Sequence, residues 1–564
     1  MVGSEQFEAA LNIVETLRAR GYEAYLAGGC VRDLLLGREP ADYDVATSAT
    51  PEVVLEMFPR TFAVGAHFGV VLVASGGGAD GAGATHTLQE NPTEESTDKE
   101  PVGGMCVTEV ATFRTDLAYS DGRHPDGVRY TKTAEEDVQR RDFTINGLLL
   151  DPVRAFPQGL KPGASVAGDV RAEARTLQTE TGTLQAEART LQAEARTLQE
   201  KATAGPRSTP IASAICAQGR LSTSPLAKNA SGSPQDDKSL GKRTDLRGAV
   251  LDYVGGLADL DADVVRAIGR PEKRFEEDHL RMLRGVRFAA RFGFELEAET
   301  KHAIRSLASK IHAVSRERVR DELTKMLTEG HARRAFELLD ETGLLSEVLP
   351  EVARMKGVEQ PAQFHPEGDV WVHTLLLLDQ LEPGCSETLA WGALLHDVGK
   401  PPTFRRAPDR IRFDGHVEIG VAIGAEICRR FRFSNEETRQ ILALIENHMR
   451  FMDAQRMKES TLKRFFRLPR FEEHLALNRM DCMAASGNLD NWEFVHERFL
   501  STPAEAVRPE PLITGRELIA AGYAPGARFK EMLRAAEDAQ LEGTIATAEE
   551  ALKLVRERFP LGAV

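Results

Sequence analysis

The chain has no apolar run that approaches the length of a membrane-spanning helix. It also has no Cys-x-x-Cys pair. Its six cysteines (Cys30, Cys106, Cys216, Cys385, Cys428, Cys482) are scattered, which argues against a disulfide framework or a zinc cage and predicts reduced thiols. The acidic start, residues 1–8, carries no apolar signal core, so the expectation is a cytoplasmic protein. Positive charge is in the minority: 71 Lys and Arg face 86 Asp and Glu, a net charge of −15 that argues against indiscriminate nucleic-acid binding. Arginine is nevertheless dense from Arg270 to Arg291 (Arg274, Arg281, Arg284, Arg287, Arg291), which predicts a local basic surface. At 564 residues with 42% hydrophobic content, two or more domains with sizeable cores are expected.

The most informative stretch is Tyr25-Leu-Ala-Gly28-Gly29-Cys-Val-Arg32-Asp33, followed by Asp42-Tyr-Asp44. It reads as an apolar strand, a Gly-Gly turn, a short helix and two carboxylates spaced i, i+2. On a strand that spacing puts both carboxylates on one face. Two adjacent aspartates repel and call for a cation, and Mg²⁺ takes carboxylates while leaving room for substrate phosphates. The glycines let backbone N–H groups approach a phosphate at a helix N-terminus. An isolated Asp-x-Asp is ordinarily a solvated turn; the Gly-Gly-x-x-Arg-Asp lead-in favours a metal-dependent nucleotidyl-transfer site instead.

Residues 7–20 pattern as an amphipathic helix, and Val70–Ala74 and Val107–Phe113 as two strands of one sheet. Between them the polar stretch 75–105 reads as a low-complexity insertion. A second, 152–247, holds a seven-residue repeat beginning at Thr176, Thr183, Thr190 and Thr197. It offers Leu and at best Ala per heptad, too little for a convincing coiled coil. From Leu257 onward, 3.6-residue periodicity predicts a helical remainder. The expected fold class is α+β: a small sheet-and-helix head at 1–151, then all-α segments at 248–360, 361–500 and 501–564.

Three further clusters bear on chemistry. Glu109, in the second strand, is placed to lie beside the aspartates as a third carboxylate; two Mg²⁺ ions would then activate a 3′-hydroxyl and steady leaving pyrophosphate. Arg140-Arg141-Asp142-Phe-Thr-Ile-Asn146 stands before an apolar run read as a helix. Its arginines suit triphosphate oxygens and Asp142 or Asn146 suits ribose hydroxyls, although Asp142 or Thr144 would equally cap that helix. In Glu277-Asp278-His-Leu-Arg281, with Arg284 and Arg287 following, Asp278 and Arg281 are i, i+3 on a predicted helix. A carboxylate beside a guanidinium would accept the Watson–Crick edges of cytosine and adenine and reject those of uracil and guanine. A plain surface ion pair is the alternative.

Taken in order, these motifs resemble those of the class II tRNA nucleotidyltransferases, the CCA-adding enzymes and bacterial poly(A) polymerases. The resemblance implies Asp42 and Asp44 as metal ligands and Gly28, Gly29, Arg32, Asp33, Arg140, Arg141, Asp142 and Asn146 around the nucleotide. It also implies Asp278 and Arg281 as a protein template for CTP and ATP, with Arg284 and Arg287 counted among the nucleotide-binding residues, and a tRNA 3′ end as partner. Residues 64–69 look like the CCA-adding group; a poly(A) polymerase or A-adding enzyme is the rival reading. The 75–105 insertion is a departure from the family pattern.

Farther along, His373, His396-Asp397, Lys400, His416, His448 and Asp481 gather imidazoles and carboxylates suited to Mn, Fe, Ni or Zn, or to Mg²⁺. This portion resembles the HD superfamily of metal-dependent phosphohydrolases. That likeness implies His373, His396, Asp397 and Asp481 at one ion, His416 and His448 at a second, Lys400 at a phosphate, and 2′,3′-cyclic or 2′-phosphates as substrates. An HD hydrolase with a degenerate transferase head is the competing reading of another class.

Overall fold

The computed structural model describes residues 5–62, 69–75, 106–116, 127–156, 246–361, 363 and 365–561. The 64–68 stretch, the 75–105 insertion beyond Ser75, the Thr176–Thr203 repeat and Cys216 therefore lie outside the described residues. The chain divides into two compact units, 1–115 with 130–138 and 148–253, and 116–129 with 139–147 and 254–564.

The first unit is built on a sheet. Helix α1 (Glu5–Ala19) buries Phe7, Ala10, Ile13, Val14 and Leu17, an apolar stripe at helical spacing, against strands β1 (Ala24–Ala27), β2 (Val45–Thr47) and the later β5. Phe7 meets Tyr43 and Phe156 edge-on, with ring centroids 5.4 and 5.1 Å away. After α2 (Gly29–Leu35) come β3 (Thr61–Phe62), β4 (Val70–Ser75) and β5 (Cys106–Thr112). The two strands expected on either side of the first insertion do pair, antiparallel, from Val70–Ala111 to Ser75–Cys106. On β5, Thr108, Val110 and Thr112 are buried while Val107 and Glu109 are exposed, the period-two alternation of a half-covered sheet.

One expectation fails here. The apolar run after Asn146 forms β6 (Leu149–Leu150), not a helix. Its outer neighbour is β7 (Val250–Leu251), drawn from the stretch assigned to the helical part. The sheet order is β3-β4-β5-β2-β1-β6-β7.

The second unit is largely helical, with two short strand pairs, Val264–Val265 with Glu295–Leu296 and Arg405–Arg406 with Ile411–Arg412, among the described residues. Helix Leu280–Phe292 passes so close to Phe143 that a Cβ on Gly285 would lie 3.0 Å from that ring. Helices Val370–Leu378 and Glu387–Leu395 are apolar on nearly all sides and correspondingly buried; Trp391 is fully enclosed, its indole N–H donating to Thr324 Oγ1 at 2.9 Å. Helix Asn435–Asn447 begins with a capping box on Ser434 and Glu437. It packs on helix His416–Arg430, where a Cβ on Gly424 would stand 2.7 Å from Ile445. The last three helices, Gly515–Ala520, Arg528–Leu541 and Ala548–Arg558, enclose a separate core of Ile513, Leu518, Tyr523, Met532, Ala536, Ala551 and Val555.

Candidate functional site

Asp42 and Asp44 lie in the irregular segment leading into β2 and not on the strand itself; regular pairing starts one residue later, at Val45. The Asp44 carbonyl already accepts the Ala27 N–H at 3.0 Å. Parallel pairing of Val45 with Val110 leaves Asp44 and Glu109 each one residue before that pair, on neighbouring strands. Laterally adjacent positions share a sheet face, so this register, continued by one residue, would set Glu109 beside the half-buried Asp44. Cys30 lies close by. Burial, and next the Asp44 charge, push its thiol up to about 12, so it stays protonated.

Gly28 has φ 72 and ψ −126, a conformation that a side chain would strain, and turns the chain from β1 into α2. Its N–H donates to the Leu148 carbonyl at 3.1 Å, and Gly29 opens the helix. Arg32 and Asp33 are 5% and 6% exposed and pair with each other at 2.8 Å. They brace the turn from inside.

In the second unit, Arg140-Arg141-Asp142 leads into a single 3-10 turn, Thr144–Asn146. Asp142 does not cap it; Phe143 occupies the cap position without a side-chain bond. Asp142 instead gathers its neighbours. Its Oδ1 accepts from the Phe143 N–H at 2.8 Å and from Asn146 Nδ2 at 3.1 Å, and its Oδ2 from Arg284 Nε at 2.9 Å. Burial alone would raise its pKa, but the Arg284 guanidinium and the Asn146 amide outweigh it and hold the carboxyl at about 2. Arg141 Nη1 donates to the Asn146 carbonyl at 3.3 Å, and the Arg140 carbonyl accepts from Arg274 at 3.3 Å.

The expected Asp278–Arg281 pair is not formed. Asp278 ends helix Pro271–Glu277 in an extended conformation, so the two residues do not share one helix. Its carboxylate takes the Leu280 N–H at 3.0 Å and Arg318 Nη2 at 3.0 Å. Arg281 turns to Glu277 at 2.7 Å, which also holds Arg274 at 2.9 Å. Nor is the arginine-rich stretch an open basic surface. Arg284 is paired with Asp142, Arg287 with Glu322 at 2.7 Å, and Arg287 and Arg291 share Glu329 at 3.2 and 3.1 Å.

The helical unit brings all six predicted ligands of the second site together. His373 lies within Val370–Leu378 and Asp481 within Phe471–Ala484; His396 and His448 each follow the last residue of a helix, and His416 begins one. Two groups result, His373–His396–Asp481 and Asp397–His416–His448, each with donor atoms within 4.8 Å of one another. Asp397 joins them. Its Oδ2 is 3.2 Å from His396 Nε2, and its Oδ1 is 3.9 and 3.8 Å from Nε2 of His416 and His448. His373 Nε2 is 3.1 Å from Asp481 Oδ1.

Nδ1 of His396, His416 and His448 is anchored on the carbonyl of Ala393, Phe413 and Ile445, at 2.8, 2.9 and 2.7 Å. This fixes the rings with Nε2 pointing inward. The Nε2 atoms of all four histidines and Oδ1 of Asp397 are buried without a well-formed hydrogen bond. Burial of this many orphaned donor atoms is costly unless a cation gathers them. Electrostatics agree: burial would lower the His373 pKa, yet Asp481 and Glu367 carry it up to about 9, while burial takes His448 down to about 4. A proton on His373 thus stands where a cation would, and His448 is a neutral imidazole ready to ligate. The donor set fits divalent metal ions. Lys400 does not face an open phosphate site: it is buried, bound to Asp397 Oδ2 at 2.6 Å and to Gln360 Oε1 at 2.7 Å.

Comparison with known proteins bears directly on these two sites. Residues 24–100 and 83–159 match the poly A polymerase head domain, 293–356 the probable RNA and SrmB-binding site of polymerase A, and 369–485 the HD domain. The CCA-adding enzyme of Lactobacillus helveticus (strain DPC 4571) is 30% identical over 377 residues, 66% of this chain and 64% of that protein. That of Bacillus cereus (strain G9842) is 24% identical over 550 residues, 97% of this chain and 98% of its own. The chain resembles the CCA-adding enzymes. The alignment spans 54% of the length of the relative from Geobacillus sp. (strain WCH70), again at 30% identity. The fold is that of the Bacillus stearothermophilus CCA-adding enzyme solved in complex with CTP, with a TM-score of 0.59, 23% identity and 98% of each chain covered.

Four residues at or near these sites were missed in the sequence. Arg318 and Glu322 engage Asp278 and Arg287 from helix Arg316–Thr328, some 35 to 40 residues away, at separations no local pattern encodes. His365 and Glu367, six to eight residues before His373, form a third donor group with it. The spacing His365-x-Glu367 ahead of His373 was the one available hint.

Proposed function

We propose that the chain is a template-independent tRNA nucleotidyltransferase that adds CCA to tRNA 3′ ends from CTP and ATP. Its HD domain would act as a phosphohydrolase on 2′,3′-cyclic or 2′-phosphates. The observation that supports the first reading is the register of β2 on β5, in which Asp44 and Glu109 each precede the Val45–Val110 pair, within a segment matching the poly A polymerase head domain. Asp42, Asp44 and Glu109 would hold Mg²⁺. Bound there, Mg²⁺ lowers the pKa of an attacking hydroxyl and offsets charge on the departing pyrophosphate.

Gly29 would present its backbone N–H to phosphate at the turn; the expected second donor, the Gly28 N–H, is held by the Leu148 carbonyl, and the buried Arg32–Asp33 pair lies on the helix that follows. Arg140 and Arg141 serve the triphosphate. Asp142, committed to Arg284, orients Asn146 toward the ribose. Asp278 and Arg281 read the base after exchanging Arg318 and Glu277 for its donor and acceptor; Arg287, sealed against Glu322, keeps that helix in place. In the HD domain, His373, His396 and Asp481 would hold one divalent ion among Mn, Fe, Ni, Zn or Mg, and His416 and His448 a second, with Asp397 between them. A tRNA substrate, and described cysteines that are all free thiols, suit the cytoplasm.

The test is incorporation of labelled CTP and ATP, singly and together, into a tRNA transcript lacking its 3′ terminus, in the presence of Mg²⁺. Addition of two C and one A, abolished by Asp42→Ala with phosphatase activity retained, supports the reading. A lengthening ladder with ATP alone would make it a poly(A) polymerase, and unchanged incorporation by Asp42→Ala would overturn the transferase site.

A further inference from the structure

Glu367 is not among the six candidate ligands, yet one of its oxygens receives two histidines. Oε1 stands 2.8 Å from Nδ1 of His373 and 2.9 Å from Nδ1 of His365, with the carboxylate side chain only 6% exposed. The reason lies in where each histidine sits on its helix. His396 and His448 follow helix ends and His416 follows a turn, so a backbone carbonyl three residues back is there to accept Nδ1–H. His373 is inside a helix. The equivalent carbonyl, that of Val370, already accepts the Thr374 hydroxyl at 2.8 Å, so His373 needs an acceptor from elsewhere.

We propose that Glu367 is a positioning residue of the HD metal centre. Its carboxylate holds His373 as the Nδ1–H tautomer with Nε2 turned toward Asp481, and His365 holds the carboxylate in place. The His365 ring also packs edge-on against His373, with centroids 5.1 Å apart, so the pair closes one wall of the site. A carboxylate behind an imidazole makes the ligating nitrogen a stronger donor than a neutral carbonyl does. His373 is thereby the most strongly polarised of the four imidazoles. The inference rests on the reading of His373, His396 and Asp481 as metal ligands.

The experiment titrates Co²⁺ into the full chain, with Mg²⁺ in excess to occupy the head carboxylates, and follows the visible absorption of bound Co²⁺. Failure of the unmodified protein to bind, or binding undisturbed by His373→Ala, would sink the metal reading itself. Given binding, Glu367→Ala is expected to weaken Co²⁺ affinity by about 10- to 100-fold. Glu367→Gln should fall between, since its amide oxygen still accepts Nδ1–H but carries no charge. Asp369→Ala is the structural control. Asp369 caps the same helix through the Val372 N–H at 2.8 Å and bonds the Gly357 N–H at 2.6 Å without touching the His373 ring. Its loss should lower Tm and leave Co²⁺ affinity unchanged. Wild-type affinity in Glu367→Ala, or an equal loss in Asp369→Ala, would overturn the proposal.

Discussion

Gly399→Ala adds one methyl group beside the HD cluster, and the structure says what it meets. Gly399 has φ −83, open to any residue, so the obstacle is space, not backbone strain. An ideal Cβ there lies 2.0 Å from the His416 carbonyl oxygen and 2.6 Å from the Gly420 nitrogen. Ordinary contact begins near 3.4 Å, so the Gly399 loop and the start of helix His416–Arg430 must separate by roughly 1.4 Å. Both obstructing atoms are backbone, which cannot swing aside as a side chain can. Ligand distances at a metal tolerate only about 0.2 Å, so a shift of this size withdraws His416 from Asp397 and His448 and spares His373, His396 and Asp481. Overpacking of this kind costs about 1–3 kcal/mol in stability. The assay is bound metal per chain after dialysis, together with Tm. We expect the variant to fold with a lowered Tm and to retain one HD-bound ion where the unmodified protein retains two. Unchanged metal content and Tm would refute the reasoning.

Asp142→Asn removes a carboxylate held at about 2 against an ordinary 3.8. Because the folded value is depressed, its stabilisation is complete above about pH 4 and is lost as pH falls toward 2. Urea unfolding should show a cost of about 2 kcal/mol at pH 7 and markedly less at pH 3, and an equal cost at both would be the wrong answer. Glu322→Ala strips the buried Arg287 of its 2.7 Å partner and should destabilise by about 3 kcal/mol in the same measurement; a loss under about 1 kcal/mol would show the pair to be dispensable. Ser434→Ala breaks the capping box of the helix leading to His448 and should cost about 1 kcal/mol while metal content stays at the wild-type level.

How much of this was readable depended on how local each feature is. The clustering of the His396-Asp397 doublet with the other candidate ligands was legible because their residue types are rare in apolar helical runs and carry their chemistry with them. The strand pair flanking the first insertion was legible from its β-branched alternation. Leu148–Leu150 was not: three apolar residues fit a buried helix turn and a buried strand equally, and pairing with β1 decided it. Asp278 and Arg281 have the right spacing for one helix face, but the helix breaks at Asp278. Glu277 and Arg318 then compete for the two charges, one from the preceding turn and one from a distant helix. Lys400 likewise looked like a phosphate ligand because nothing in sequence showed that Asp397 and Gln360 enclose it. Long-range electrostatic partners were the illegible part throughout.

The pairing of β6 with β7 has a consequence for how the protein is made. Leu150 and Val250 are matched across the sheet, so a ribosome must add about 100 residues after the first strand before the second exists. At roughly 5–20 residues per second that interval lasts on the order of 5–20 s. For that time the nascent first unit carries β6 as an unpartnered edge, an apolar one, with its outer hydrogen-bonding groups open to any extended chain. Completion of this unit is therefore timed by the arrival of Val250, and the interval before it is when a chaperone would have most to protect.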